Sequence, residues 1–368
     1  MSALFDTFAL KDITLRNRIA VPPMCQYSAE DGFVNQWHEA NYQSFARGGA
    51  GLVIVEATAV SPEGRISPED LGIWKDDHVA GLANVAQRIK DQGAVAGIQI
   101  AHAGRKASAN SPWNGDDHLA EDDPKGWPII GPSAVPFGAN LPRTPDAMTK
   151  SDIERVKADF VAGAKRALEA GFEWLELHFA HGYLAQSFFS KHANIRNDEY
   201  GGDAEGRGRF LLETLEAVRE VWPDYLPLTI RFGVIEYDGD DEQTQAESIE
   251  LVKQFKARGA DFVSVSVGFN IPDANIPWGP AFLAPVAERV RREADIPVAT
   301  AWGVDTPELA NETVEKEQLD LVMVGRMHLT NPHWAYFAAK KLGVEKPSWV
   351  MPAPYAHWLQ RYAPSDER

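Results

Sequence analysis

Cysteine is almost missing from this chain of 368 residues: Cys25 stands alone. An intrachain disulfide is impossible, and so is a cysteine-ligated iron–sulfur cluster. A reducing compartment fits that usage. Long apolar runs are missing too. No stretch approaches the ~18 apolar residues of a membrane-spanning helix. The first twenty residues carry Asp6, Lys11, Asp12, Arg16 and Arg18, which is not the pattern of a secretory leader. A cytoplasmic protein is expected. Basic residues are in deficit, 36 against 53 acidic ones, for a formal net charge of -17. An acidic surface repels nucleic acid and anionic membrane. Neither is expected as a partner, and the charge says little else; the substrate expected is a small molecule. A Gly-x-Gly-x-x-Gly turn after a strand is also lacking, which argues against an open, doubly wound dinucleotide fold.

What the chain does have is a rhythm. Helical stretches end in glycine, and apolar, β-rich runs follow at once. Gly48-Gly49-Ala50-Gly51 leads into Leu52-Val53-Ile54-Val55, Gly93 into the run at 95–100, Gly171 into 174–178, and Gly259 into 262–267. Glycine after a helix takes the left-handed cap conformation. Short apolar runs bounded this way read as buried parallel strands. With runs at 19–22, 228–232, 298–301 and 321–324 they number eight, and they predict a closed (β/α)8 TIM barrel. Barrels of this kind run to such lengths as one domain, here 1–368. Ser151 and Glu154 predict a capping box. Ile153, Val156, Phe160, Ala164 and Leu168 then line one helix face. Thr306-Pro307 marks another helix start. Residues 107–148, rich in Pro, Gly and Asp and carrying Trp113 and Trp127, are too long for an ordinary loop after strand three. They predict a lid-like insertion.

Barrel active sites form where strands end. Pro23, Met24, Cys25 and Tyr27 follow strand one, and Ala57 ends strand two. Gln99 lies in strand three. His178, His181 and Tyr183 follow strand four, and Arg231 lies in strand five. Ala301-Trp302-Gly303 follow strand seven and Gly325-Arg326 strand eight. Gly303, Gly325 and Arg326 suit a phosphate, through bare backbone N–H groups and a bidentate guanidinium. Arg231, in an apolar strand, needs an anionic partner. That partner is either a structural Glu56 or Glu176, or a cofactor that becomes anionic. His178-x-x-His181 could chelate zinc, but no third ligand sits in register, so no metal is expected. The alternative is two imidazole donors holding one carbonyl oxygen. Cys25 is either a small buried hydrophobe or a functional thiol.

These residues resemble one family. Asn194-Ile195-Arg196-Asn197-Asp198-Glu199-Tyr200-Gly201-Gly202, with Arg207 and Arg209-Phe210, is similar to the signature of the Old Yellow Enzyme flavoproteins. Pro22-Pro23-Met24-Cys25-Gln26-Tyr27, Trp302 and the tail Pro354-Tyr355-Ala356-His357-Trp358 resemble its cysteine-bearing bacterial branch. The resemblance spans nearly the whole chain. It implies noncovalent FMN, NADPH (or NADH) as hydride donor, and reduction of activated C=C bonds. Around the flavin it places Pro23, Met24, Cys25, Ala57, Gln99, Arg231, Ala301, Trp302, Gly303, Gly325 and Arg326. Around the substrate it places Tyr27, His178, His181, Tyr183, Ile66, Trp302 and Trp358. His178, His181, Tyr183 and Cys25 carry the chemistry. It further implies a homodimer or homotetramer, with the tail at 345–368, and Trp358 in particular, reaching a neighbouring subunit. Two departures stand out. His181 occupies a position where many members carry Asn, and either histidine could acquire charge at low pH. Asp203 and Gly206 replace the usual Ser and Asn of the signature.

A related FMN barrel of the dienoyl-CoA reductase type needs a cysteine-rich segment this chain lacks. A barrel glycosidase using Glu56 and Glu176 as its carboxylate pair is a second alternative. A barrel that binds a ligand without turnover is a third.

Overall fold

The computed structural model describes residues 2–362. Eight strands close a barrel: β1 (Ile19–Val21), β2 (Leu52–Ala59), β3 (Val95–Ala101), β4 (Trp174–Phe179), β5 (Leu228–Ile235), β6 (Phe262–Val267), β7 (Val298–Thr300) and β8 (Leu321–Met323). Each pairs in parallel with the next, and β8 pairs with β1. All eight lie where the apolar runs predict them. β2 and β5 are buried at every position, as strands are when helices cover one face and packed side chains fill the other. The capping glycines behave as expected: Gly93, Gly171 and Gly259 have φ of 79°, 83° and 92°.

Side chains alternate in and out with period two. Ala20, Leu52, Ile54, Trp174, Phe262, Ala299, Leu321 and Met323 fill the lower barrel. Val53, Val55, Ile98, Leu175, Ile230 and Val263 join the outer core beneath the helices. A hairpin that sequence rhythm did not reveal, Phe8–Leu10 paired with Ile13–Leu15, closes the floor. Phe8 meets Phe262 edge-on at 6.2 Å.

Helix Lys150–Glu169 starts earlier than expected. Thr149, not Ser151, is its N-cap, and Asp152, not Glu154, completes the reciprocal box. Thr149 and Asp152 have the spacing a box needs, and the earlier start adds helical backbone hydrogen bonds. Thr306 caps helix Pro307–Glu315 as predicted.

The segment 107–148 carries only short elements, the turn Pro112–Asn114 and the two-residue strands Ile130–Gly131 and Asp146–Ala147. It is held by side chains. Buried Arg105 donates to Val135, Pro136 and Asn270 carbonyls, and Trp127 Nε1 donates to Glu63 O at 2.9 Å. Of the tail, Pro347–Val350 and Ala353–Leu359 are helical. Residues 363–368 lie outside the described residues.

Candidate active site

Parallel register sets Gln99 beside Glu176 and His178 beside Arg231. On β4, Glu176 and His178 follow inward-facing Trp174 at steps of two, so a polar ring lies above the apolar floor. Gln99 Nε2 donates to Glu176 Oε1 at 2.8 Å. Glu176 Oε2 has no partner among the described residues, and burial pushes this carboxyl up to about 7. Arg231 is buried, and its Nε is likewise unpartnered. Among the described residues it forms no ion pair within 4 Å, with Glu56, Glu176 or any other carboxylate. Burial lowers its pKa, against the opposing charge of Glu176.

Glu56 leaves the barrel interior. The register of β2 slips between Val55 and Thr58, and such a bulge re-aims the side chains beyond it. Glu56 meets Tyr42 of helix Gln36–Arg47 and accepts from Gln26 N at 2.9 Å. Burial pushes it up to about 8. Glu56 and Glu176 therefore have separate partners and do not form the facing pair a glycosidase needs.

Beyond β4 the chain turns sharply. His181 has φ 64° and Gly182 φ 68°, and a Cβ on Gly182 would stand 2.3 Å from Phe269 O. Lys106 Nζ, which the sequence did not single out, donates to His181 O at 2.9 Å and Phe269 O at 2.8 Å. Strained backbone held this firmly is a mark of functional sites. The turn stacks three rings edge-on: His178 lies 4.9 Å from His181 and 5.0 Å from Tyr183. His178 Nδ1 accepts from Ala180 N at 3.4 Å, so its proton sits on Nε2. Burial first, and the Arg231 charge second, hold both imidazoles well below 6.5. The charge that either could acquire at low pH is therefore disfavoured, and the neutral form is favoured near pH 7. Among the described residues no third ligand joins them in a metal-holding group.

The Tyr183 hydroxyl makes no hydrogen bond within the described protein. Burial raises its pKa well above 10, and Cys25 and Asp70 add to that. Burial also raises Cys25, with Asp70 and Glu56 reinforcing it; it is a thiol, not a thiolate. Tyr27, at φ 47°, is raised by burial and by its neighbours Cys25 and Tyr183. Asp70, another residue the sequence left unmarked, accepts from Ile66 N at 2.7 Å and Ser67 Oγ at 2.8 Å.

Pro23, Met24, Arg231, Ala301, Trp302, Gly303, Gly325 and Arg326 line one cavity of about 370 Å³. Ala57, Ile66 and Tyr183 line a narrower space with Asp70. Gly303 has a structural reason to be glycine, since a Cβ would stand 2.3 Å from Gly279 O. Gly325 permits close approach, because a Cβ would press on Met24 and Pro22 at 3.3 Å. Arg326 is exposed at the rim, and its side chain makes no ion pair or hydrogen bond among the described residues. Trp358 is 76% exposed and does not line its own chain's cavity. A larger groove, about 730 Å³, runs outside the barrel between helices Ala204–Arg219 and Asp241–Ala257; it contains none of the strand-end residues.

The 194–210 signature is structural. Arg196 forks onto Asp198 and reaches the Pro132 and Met148 carbonyls, which ties the insertion down. Its two departures fit each other. Asp203 caps helix Ala204–Arg219 by accepting from Gly206 N at 2.9 Å. A Cβ on Gly206 would lie 2.1 Å from Gly201 O.

Ser266 on β6 was also missed. Its hydroxyl lies between His181 and Trp302. The alternation Phe-Val-Ser-Val-Ser-Val of that strand marks Ser264 and Ser266 as inward polar positions, and was the available signal.

Comparison with known proteins identifies the family. The NADH:flavin oxidoreductase / NADH oxidase family matches residues 3–345. An NADPH dehydrogenase of Geobacillus thermodenitrificans (strain NG80-2) is 44% identical over 346 residues, 94% of this chain and 96% of that protein. Morphinone reductase superposes with a TM-score of 0.77 at 25% identity, over 93% of this chain and 90% of that one. An old yellow enzyme homologue from Zymomonas mobilis gives 0.75 at 25%, over 93% of each. The chain belongs to the NADH:flavin oxidoreductase / NADH oxidase family, the Old Yellow Enzyme flavoproteins.

Proposed function

We propose that this enzyme reduces the activated C=C bond of α,β-unsaturated carbonyls by a ping-pong reaction, with nitro and nitrate-ester xenobiotics as alternative acceptors. The coarser activity, an FMN-dependent oxidoreductase drawing on NADPH, is the family's. The observation that carries the finer reading is the turn after β4. Two neutral imidazoles and an unpartnered phenol stand together beside a cavity that contains a buried, unpaired cation.

The residues present fit FMN. Arg231 has a buried, unpaired Nε and calls for anionic charge. Gln99 commits one amide N–H to Glu176, which leaves its second N–H and its carbonyl oxygen for a ligand. Gly325, Gly303 and Arg326 offer backbone room and a free guanidinium for a phosphate. Met24, Pro23, Ala301 and Trp302 complete that cavity's wall, and the family resemblance adds Cys25 and Ala57. FMN held here would supply the hydride-transfer chemistry between NADPH (or NADH) and the activated alkene.

The chain does the rest. His178 and His181 donate to the carbonyl oxygen and stabilise the charge that develops there. Tyr183 Oη delivers a proton to the α-carbon. Tyr27, Ile66 and Trp302 bound the substrate. The segment 107–148 serves as the lid, with Trp113 edge-on to Tyr27 at 5.6 Å. The protein assembles as a homodimer or homotetramer, in which exposed Trp358 closes a neighbour's site. A cytoplasmic location suits the single thiol.

The test is a visible spectrum. The purified protein takes up FMN, is bleached by NADPH without oxygen, and recovers colour on adding cyclohexenone. A colourless protein that refuses FMN overturns the reading. Bleaching without recovery leaves a flavin binder that is no ene-reductase.

A further inference from the structure

One buried hydroxyl beside the site has no role in the mechanism so far. Ser266 is fully buried on β6. Its Oγ lies 2.8 Å from His181 Nε2 and 3.0 Å from Trp302 Nε1. An indole N–H only donates, so Trp302 occupies one lone pair of Ser266. The hydroxyl proton then has a single acceptor among the described residues, His181 Nε2. In the reverse arrangement His181 Nε2–H would donate to Ser266, and the hydroxyl proton would be left unpaired in a buried place, which is unfavourable. A neutral imidazole carries one N–H. With Nε2 accepting, that proton sits on Nδ1, which has no partner in the described protein.

We infer that Ser266 is a positioning residue that fixes His181 as its Nδ1–H tautomer and so sets which nitrogen donates to the substrate oxygen. The ring cannot easily escape this choice. Lys106 holds the His181 carbonyl, and Trp302 packs against the ring at 6.1 Å. His178 has the opposite assignment, Nδ1 accepting from Ala180 N and Nε2 protonated. The two imidazoles thus offer different nitrogens, each with one proton and each set by a neighbour. In a neutral imidazole, the tautomer decides whether a ring nitrogen donates or repels a substrate oxygen. The inference rests on the proposed reaction for its ligand, but not for its geometry.

The experiment is 15N NMR of the FMN-loaded enzyme with labelled histidine and no substrate. His181 shows a protonated, pyrrole-like Nδ1 and a pyridine-like Nε2. The reverse pattern overturns the inference, and this wild-type spectrum decides even if a variant fails to fold. In Ser266→Ala the His181 signals move toward a tautomer mixture, and the dissociation constant of a para-substituted phenol, read from its charge-transfer band, rises. If the Nδ1–H share falls to roughly a tenth, the rise is about tenfold, because apparent affinity scales with the competent fraction. Ser266→Thr, which keeps the hydroxyl, restores both readouts. Unchanged tautomer and phenol affinity in Ser266→Ala overturn the inference. A wild-type protein with the stated tautomer that binds no phenol supports the Ser266 assignment and defeats the substrate reading instead.

Discussion

Replacing Tyr183 with phenylalanine separates chemistry from stability more cleanly than any other change at this site. The phenol oxygen makes no hydrogen bond in the described protein, so its removal strands no buried partner. The ring, packed on His178 at 5.0 Å, is retained. Stability should change by no more than ~0.5 kcal/mol, the range for substitutions that break no defined interaction. Alkene reduction should suffer far more. Loss of a positioned general acid costs about 10²–10⁴-fold, which is roughly 3–5.5 kcal/mol of barrier. Burial holds the phenol pKa well above 10, so the donor stays protonated and wild-type proton delivery should show no Tyr183 titration from about pH 5 to 9. Stopped-flow absorbance separates the half-reactions: NADPH bleaching should stay within a few-fold, while reoxidation by cyclohexenone slows by the larger factor. Equal slowing of both would refute Tyr183 as the proton donor. A lowered melting temperature would show that the hydroxyl had a structural partner.

Other outcomes follow from the same geometry. His178→Ala with His181→Ala should weaken phenol binding by about 1.5–3 kcal/mol per lost charge-assisted hydrogen bond; unchanged titrations would remove the clamp. Because both imidazoles sit well below 6.5, wild-type affinity for a phenol should show no histidine titration between about pH 6 and 8. Glu176 has its folded pKa raised from 4.5 to about 7, so the folded state holds a proton that the unfolded chain releases, and wild-type stability falls as pH rises from 4.5 through 7. Glu176→Gln lacks that penalty, so its melting temperature should gain on wild type from pH 5 to pH 8, with ~3 kcal/mol as the ceiling at 1.36 kcal/mol per pKa unit; parallel curves would contradict the burial assignment. Gly303→Ala, at φ 71° and 2.3 Å from Gly279 O, should cost about 2 kcal/mol or more through strain and backbone displacement, and a denaturant titration of the holoenzyme measures it.

The barrel was legible because its strands are buried on both faces. Such strands must be short apolar runs, and the glycines that cap the preceding helices bound them. The rim residues were legible because chain position alone puts whatever follows a parallel strand at the same end of the barrel. Position could not say which way a side chain points once the register slips. By position Glu56 is open as a partner of Arg231 or of Glu176, yet beside the bulge at Val55–Thr58 it meets Tyr42 instead. Nor could it place the hairpin Phe8–Leu10 and Ile13–Leu15, whose partners on the barrel floor, Phe262 among them, are distant in sequence.

The eightfold βα alternation, the strand-end inventory from Pro23 to Arg326 and the family resemblance are all readable from the residues in order. These depend on local periodicity and covalent order. Only the closed barrel leaves Arg231 without a carboxylate partner among the described residues, lowers the pKa of His178 and His181 through burial, and brings Ser266 and Lys106 to the His181 turn. Each of those depends on burial and on groups brought together from separate strands, and neither exists until the barrel has closed.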